Sequence, residues 1–146
     1  MNNKYINIYN SLVNLSRNKD LYKNFGSQDT FSDRLIFFLI HFAFFLKVFK
    51  KNDQKILQDI YDYIFRQLEL SIREIGYGDA SINKKMKDYI NLFHSIIIKI
   101  ENWDSFNLNE KNKIIKSLIN TVNNDDLCVY FDKFSVKLEN NTLNYY

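Results

Sequence analysis

Few residues in this chain have the type and spacing that enzyme chemistry requires. The 146 residues include two histidines, His41 and His94, one cysteine, Cys128, and three glycines. No HExxH or CxxC spacing offers a metal site, and no GxSxG turn offers a nucleophilic serine. The glycines, at 26, 76 and 78, form neither GxxxxGKS/T nor GxGxxG, so nucleotide phosphates have no glycine-rich cradle. We therefore predict no catalytic residue, no metal site and no cofactor.

His41 is the polar residue in an otherwise apolar run from Leu35 to Leu46. A buried imidazole must find hydrogen-bond partners, so the simplest interpretation is a core histidine with satisfied bonds. Three alternatives stay open: a haem or metal ligand, an interhelical clamp on a partner's carbonyl, and the centre of a helical enzyme with a nearby carboxylate. A site that joins His41 to His94 is possible in space, although no spacing favours it. Cys128, being alone, predicts a small hydrophobe in a reducing compartment.

Three lysines follow the point where the chain changes direction: Lys84, Lys85 and Lys87. They fall in the first two turns of a predicted helix, where the helix dipole disfavours cations. One interpretation is that a partner outside the helix binds them. The other, which charge pattern alone favours, is that they are solvated surface lysines beside Asp79 and Asp88.

The stretch from Leu68 to Lys87 joins the two most strongly periodic segments and contains two of the three glycines. Gly76 can adopt the left-handed conformation that ends a helix. Gly78, Asp79 and Ser81 supply a second flexible point and candidate N-caps for the next helix. The stretch thus predicts a helix, a tight corner and a helix, and the rest of the chain must hold this corner in place.

Length and composition predict one all-α domain. With no proline and three glycines, the chain lacks the turn residues that a sheet-rich protein of this size needs. The 20 basic side chains, sixteen of them lysine, exceed the 17 acidic ones by three. That excess fits ordinary solvated charge with weak attraction to acidic surfaces, and it does not single out nucleic acid. The N-terminal residues MNNKYINIYN lack the pattern of a cleaved leader, which predicts an intracellular protein.

The first half of the chain predicts an N-terminal helix, a short helical turn and a central helix. Residues 4–17 repeat apolar side chains at intervals of three and four, and residues 21–25 form one further predicted turn. The run at 35–46 is apolar all round, so we expect it to be the buried central helix. A membrane span needs roughly 20 residues, which leaves an interfacial membrane contact as the lesser alternative. Candidate caps for the central helix are Ser27, Asp29 and Thr30.

Two long amphipathic helices are predicted on either side of the glycine corner. The first begins after Asp53 and reaches Ile75, and the second ends near Asn102. On the outer side of the first helix, Glu69 and Arg73 have the favourable acid-first spacing of four. The predicted inner residues of the first helix are Ile56, Leu57, Ile60, Ile64, Leu68, Ser71, Ile72 and Ile75.

The C-terminal third predicts two shorter helices. Asn107 with Glu110 is a capping-box pattern, Leu108 is part of the apolar stripe behind it, and Asp125 opens the last helix. The whole chain predicts an irregular single-domain bundle of about six or seven helices. Its predicted regions are a helical arm at 1–26, a core at 29–102, C-terminal helices at 107–139 and a frayed tail at 140–146.

Two stretches carry a recognisable combination of residues: DTFSDRLIFFLIHFAFFLKVF at 29–49 and SIREIGYGDASINKKMKDYINLF at 71–93. They resemble the ubiquinol-cytochrome c chaperone family, the assembly factors of the respiratory quinol-cytochrome c reductase. In that family an Arg and a His mark the first long helix, and an L-R-E-x-G-x-G-D segment followed by K-x-M-K marks the next two. The matching positions are Arg34, His41, Arg73, Glu74, Gly76, Gly78, Asp79, Lys84 or Lys85, Met86 and Lys87.

The sequence departs from the family pattern at two places. Ile72 stands where the family has leucine, and the family's Phe-Tyr-Gly-Arg is Phe93, His94, Ser95 and Ile96 here. The resemblance implies that Arg34 and His41 have a structural or functional role. We hypothesise that the contact patch for a partner is formed by Arg73, Lys84, Lys85 and Lys87, with the glycine corner fixing their direction. The predicted partner-binding residues are Arg73, Glu74, Gly76, Gly78, Asp79, Lys84, Lys85 and Lys87.

The resemblance implies a non-enzymatic helical chaperone that binds newly made cytochrome b until haem insertion and assembly of the complex proceed. Its implied partners are that client or a related membrane protein, the translating ribosome and the membrane surface, with no small-molecule substrate. The implied location is cytoplasmic and peripheral to the inner membrane, or the mitochondrial matrix in a eukaryote. The alternative hypothesis is a helical interaction module that docks on membrane or ribosome without a role in respiratory assembly.

Overall fold

The computed structural model describes residues 5–19, 31–119 and 124–140. Within these ranges the chain forms six α-helices and a 3-10 turn, with no strand, which confirms the all-α prediction. The predicted turn at 21–25, the candidate caps Ser27, Asp29 and Thr30, and the tail beyond residue 140 lie outside the described residues. The elements are α1 (Ile6–Ser16), α2 (Phe31–Val48), α3 (Gln54–Ile75), α4 (Asp79–Ile100), the 3-10 turn (Trp103–Ser105), α5 (Leu108–Leu118) and α6 (Asn124–Glu139).

The central element is α2, which packs against α1, α4 and α6. Its side chains from Phe37 to Phe45 are at most 5% exposed, because apolar residues cover every side of the helix. Phe42 stacks on Phe93 of α4 with ring centroids 5.0 Å apart, and Phe44 stacks on Phe131 of α6 at 5.1 Å. Burial of one such ring stabilises the fold by roughly 1.5–3 kcal/mol. The prediction of a buried central helix is confirmed.

Length and apolarity together decide whether a helix can cross a bilayer. None of the helices in the described ranges has enough of both.

The two long amphipathic helices predicted around the corner are α3 and α4. The Asp53 side chain caps α3 by accepting a hydrogen bond from the Lys55 N–H at 2.8 Å. The prediction that Ile75 faces inward is wrong: its side chain is 52% exposed, because it ends α3 beside the surface corner. Inner residues of α3 that are buried as predicted are Leu57, Ile60, Ile64, Leu68 and Ile72.

The C-terminal helices α5 and α6 pack against each other. The capping box of α5 is confirmed: Asn107 Oδ1 accepts from the Glu110 N–H at 2.9 Å, and Glu110 Oε1 accepts from the Asn107 N–H at 3.1 Å. The prediction that Leu108 is buried is wrong, since this first residue of α5 is 46% exposed. The last helix begins at Asn124, one residue before the predicted Asp125.

Trp103 joins the C-terminal helices to the rest of the bundle. Its buried indole N–H donates to Asp132 Oδ1 of α6 at 2.7 Å. The Lys111 ammonium of α5 donates to the same oxygen at 3.0 Å and lies 5.2 Å from the indole ring centroid. Trp103 also packs edge-on against Phe44 of α2. One side chain thereby links α2, α5 and α6.

Candidate functional site

The chain turns between α3 and α4 at Gly76. This residue has φ +108° and ψ 13°, a left-handed conformation, and its N–H donates to the Arg73 carbonyl at 3.0 Å. A Cβ added at Gly76 would meet nothing within 4 Å. Glycine is therefore required by the backbone angle and not by crowding. The predicted left-handed helix end is confirmed.

Gly78 is the N-cap of α4, and its φ of −76° and ψ of 164° are open to any residue. Of the other candidate caps, Asp79 is the first residue of α4, and no side chain caps this end of the helix. Nothing lies within 4 Å of the position that a Cβ on Gly78 would take. The surface at Gly78 is therefore open, although the backbone angles there do not require a glycine.

An ion pair closes the corner. Arg73 Nη1 donates to Asp79 Oδ1 at 2.6 Å, and Arg73 Nε lies 3.5 Å from Glu69 Oε2, the predicted partner one turn earlier. The hydrogen bond to Asp79 is the main reason why the pKa of Arg73 is raised. Because the Asp79 side chain is 85% exposed, this pair contributes little to stability. Its effect is to hold the guanidinium in one direction across the glycines.

The three lysines of α4 divide into two groups. Consecutive helical residues are rotated by about 100°, so Lys84 and Lys87 share one face, about 60° apart. Lys85 points about 160° away from Lys87. Its ammonium lies 4.5 Å from the ring centroid of Tyr77, and Lys85 is half-buried, whereas Lys84 and Lys87 are exposed. Two of the lysines can therefore meet one partner together, and the third is engaged by the corner itself.

The corner lies entirely on the surface. Every residue from Arg73 to Ser81 is exposed, including two large apolar ones, Ile75 at 52% and Tyr77 at 40%. We call these nine residues, together with Lys84 and Lys87, the corner surface. Exposed apolar side chains among charged ones are typical of protein interaction sites. The sequence pointed to the charged residues of this surface and missed its apolar ones.

His41 is fully buried and uses both ring nitrogens. Nδ1 lies 2.6 Å from the Phe37 carbonyl, which can only accept, so Nδ1 carries the proton. Nε2 then accepts from the Tyr130 hydroxyl of α6 at 2.7 Å. Burial is the main cause that lowers the pKa of His41 to about 4, and it raises that of Tyr130 to about 12. The interpretation of a satisfied core histidine is confirmed, and its bond to Tyr130 joins α2 to α6.

The surroundings of His41 do not support the alternatives of a ligand or an enzyme. The ring packs edge-on against Tyr130, Phe131 and Phe134, with centroids 5.0 to 5.4 Å away. Neither nitrogen is left for a metal, a haem or a proton transfer. In the described part of the chain, no three His, Cys, Asp or Glu side chains come together as a metal site.

His94 is exposed on the side of α4 that faces Tyr61 of α3. Its Nε2 is 3.0 Å from the hydroxyl of Tyr61, which connects α4 to α3 at the surface. Burial, with the charge of Asp62, raises the pKa of Tyr61, so this hydroxyl keeps its proton and can donate to His94. The structure does not bring His94 and His41 together, since they face different partners.

A groove opens beside the corner, between α1, α2 and α3, with a volume of about 510 Å³. Arg34 lies in its lining, together with Arg17 at the end of α1. Glu74 and Ile75 line it too, so the groove continues from the corner surface. We call it the α1–α3 groove. Sequence reasoning singled out Arg34 and missed the groove around it.

The protein is therefore a small helical bundle whose surface corner exposes both charged and apolar side chains. The chain belongs to the ubiquinol-cytochrome C chaperone family, whose model matches residues 23–123. The matched region contains α2 to α5, and therefore Arg34, His41 and the whole corner. No curated protein and no solved structure gave a match. The resemblance seen in the sequence is confirmed, and with it a chaperone role connected with ubiquinol-cytochrome c reductase.

Proposed function

We propose that this chain is a non-enzymatic assembly chaperone that binds newly made cytochrome b during biogenesis of the quinol-cytochrome c reductase. The observation that carries the proposal is the family match at 23–123, which includes the corner surface. Exposed apolar groups beside oriented charges suit a protein client better than a reaction. Both nitrogens of His41, the most buried polar candidate, are already hydrogen-bonded.

The corner surface is the proposed contact with the client. Arg73 is held by Asp79, so it meets a partner without first losing its side-chain freedom. Ile75 and Tyr77 offer apolar contact between the charges. Gly76 and Gly78 leave open space, so a partner backbone can approach closely. The full proposed set is Arg73, Glu74, Gly76, Gly78, Asp79, Lys84, Lys85 and Lys87, in which Lys85 positions Tyr77.

A chaperone of this kind meets its client while a membrane protein is being made. The ribosome and the anionic membrane surface are therefore further proposed partners, and the proposed location is the cytoplasmic face of the inner membrane, or the matrix face in a mitochondrion. The exposed pair Lys84 and Lys87 suits both surfaces, since each carries phosphate groups.

Loss and repair of the chain in its own cells tests the proposal. We expect a deletion to reduce the absorbance of b-type haem and the activity of quinol-cytochrome c reductase, and the wild-type chain to restore both. A chain with Lys84→Glu and Lys87→Glu should restore much less, because the contact face then repels acidic partners. The matched control is Lys113→Glu with Lys116→Glu, an exposed pair on α5 with the same spacing.

The same experiment also distinguishes the chaperone role from the alternative hypothesis. Normal haem spectra in the deletion, with loss of a membrane or ribosome contact, would indicate an interaction module without a respiratory role. If the variant with both Lys84 and Lys87 changed to Glu restored full activity, the chaperone role would still stand. These two lysines would then not be part of the contact with the client.

A further inference from the structure

The α1–α3 groove has an apolar lining that no described element fills. Val13 of α1, Phe38 of α2 and Leu68 of α3 come from its three walls. A hydrogen bond of 2.9 Å between the Tyr9 hydroxyl and Ser71 Oγ connects α1 to α3. A groove of this volume between helices can accept the side chains along one face of another helix.

Charges of both signs line the same groove. Arg17 and Arg34 are two of only four arginines in a chain that otherwise uses lysine, and they lie here with Glu74. A guanidinium has a planar fork of donors that fits a carboxylate, which an ammonium does not. Arg17 is exposed and Arg34 is half-buried, so a ligand can approach Arg17 from solvent and pack over Arg34.

We infer that the α1–α3 groove binds an amphipathic helical segment of the client, with an acidic side chain on Arg17 and Arg34 and a basic or amide side chain near Glu74. The inference rests on the proposed function and names the kind of segment bound. Glu74 and Ile75 belong to both surfaces, so one client segment can run from the corner surface into the groove.

The mixture of charges favours a polypeptide over a lipid. The phosphate of an anionic lipid such as phosphatidylglycerol could meet the arginines, but this lipid has no positive group to pair with the Glu74 carboxylate in the same groove. A helix can present opposite charges one turn apart and apolar side chains between them. The groove therefore matches the charge pattern of an amphipathic helix.

Capture of tagged cytochrome b by the full chain tests the groove. We expect Arg17→Glu to lower the captured amount about tenfold, because an attractive contact becomes repulsive. Arg34→Gln should lower it as well, and its unfolding midpoint shows whether the variant folds. The matched control is Arg66→Glu, an exposed arginine on α3 outside the groove, which should capture as much as wild type.

A photoreactive phenylalanine analogue at Val13 gives an independent readout, with the same analogue at the exposed Val136 of α6 as its control. An adduct between cytochrome b and position 13, absent from position 136, supports the inference. If wild type captures cytochrome b but gives no such adduct, and Arg17→Glu has no effect, the inference that the groove binds the client is overturned. The proposed function then still stands. An adduct with phospholipid alone overturns it in favour of a lipid. Failure of wild type to capture cytochrome b overturns both.

Discussion

Arg73 donates a hydrogen bond to Asp79 across the glycine corner at 2.6 Å, and the side chains are 41% and 85% exposed. Arg73 lies in the last turn of α3 and Asp79 is the first residue of α4, so the bond spans the change of direction. Water screens a pair at this exposure, and its contribution to stability is small. The pair therefore allows the role of the corner in binding to be separated from its role in folding.

Arg73→Ala and Asp79→Ala should leave the urea midpoint of unfolding nearly unchanged and should each reduce capture of cytochrome b. Removal of Asp79 leaves Arg73 with Glu69 on its own helix and removes the bond that directs the guanidinium across the corner, so binding loses a preorganised contact. Asp59→Ala, at an exposed position of α3 outside the corner, is the control for both measurements. A loss of stability as large as that of a core substitution would contradict the solvent-exposed role given to the pair.

Because His41 is buried in its neutral form, we predict that the free energy of unfolding decreases in acid. Burial lowers its pKa from 6.5 to about 4, so the unfolded chain takes up a proton at a higher pH than the folded chain does. The contribution of the neutral histidine is fully present above pH 6.5 and is lost as the pH falls towards 4. Between pH 7 and pH 5 the loss should reach about 2 kcal/mol.

Urea unfolding at several pH values measures this loss. Carboxylates also titrate near pH 4, so the informative quantity is the difference in free energy of unfolding between wild type and His41→Gln. That difference should shrink as the pH falls from 7 to 5. Parallel pH curves for the two proteins would mean that His41 is not buried in the neutral form.

Tyr130→Phe should destabilise the fold by about 1–3 kcal/mol, because the buried Nε2 of His41 loses its hydrogen-bond donor. The raised pKa of Tyr130, about 12, means that its hydroxyl keeps the donated proton at neutral pH. Tyr9→Phe is the matched control: its partner Ser71 still donates to the Gln67 carbonyl at 3.1 Å. Thermal or urea unfolding of the two variants should show the larger loss in Tyr130→Phe.

Much of the fold follows from periodicity alone. The all-round apolar run at 35–46 indicated a central helix, and α2 is that helix. The errors at Ile75 and Leu108 share a cause, because each is the terminal residue of its helix. An apolar stripe continues in the sequence to such a position, but at the end of the helix the side chain is exposed in the structure.

The site was predictable only in part, for a different physical reason. Local rules were enough for Gly76, since a left-handed helix end depends on the chain itself. The grouping of Arg17 with Arg34 was not visible, because it arises from the packing of α1 against α2 and α3. In the same way, the partner of His41 is Tyr130, 89 positions away, and no spacing rule connects residues so distant.

The two corner glycines should respond differently to the same substitution. Gly76→Ala should cost about 1–2 kcal/mol in free energy of unfolding, because an L-residue is strained at φ +108°. Gly78→Ala should cost less than about 1 kcal/mol, the loss expected at an N-cap with ordinary angles. Urea unfolding of both variants compares the same added methyl group in two backbone conformations, and equal losses would contradict this account.

The open space at Gly78 turns this comparison into a test of binding. Nothing within 4 Å would crowd an added Cβ, so any effect on a partner must come from the partner's own approach. We expect Gly78→Ala and then Gly78→Leu to reduce capture of cytochrome b in that order while the urea midpoint changes little. Unchanged capture by Gly78→Leu would mean that no client backbone passes over this glycine and that the contact is made by the charged side chains beside it.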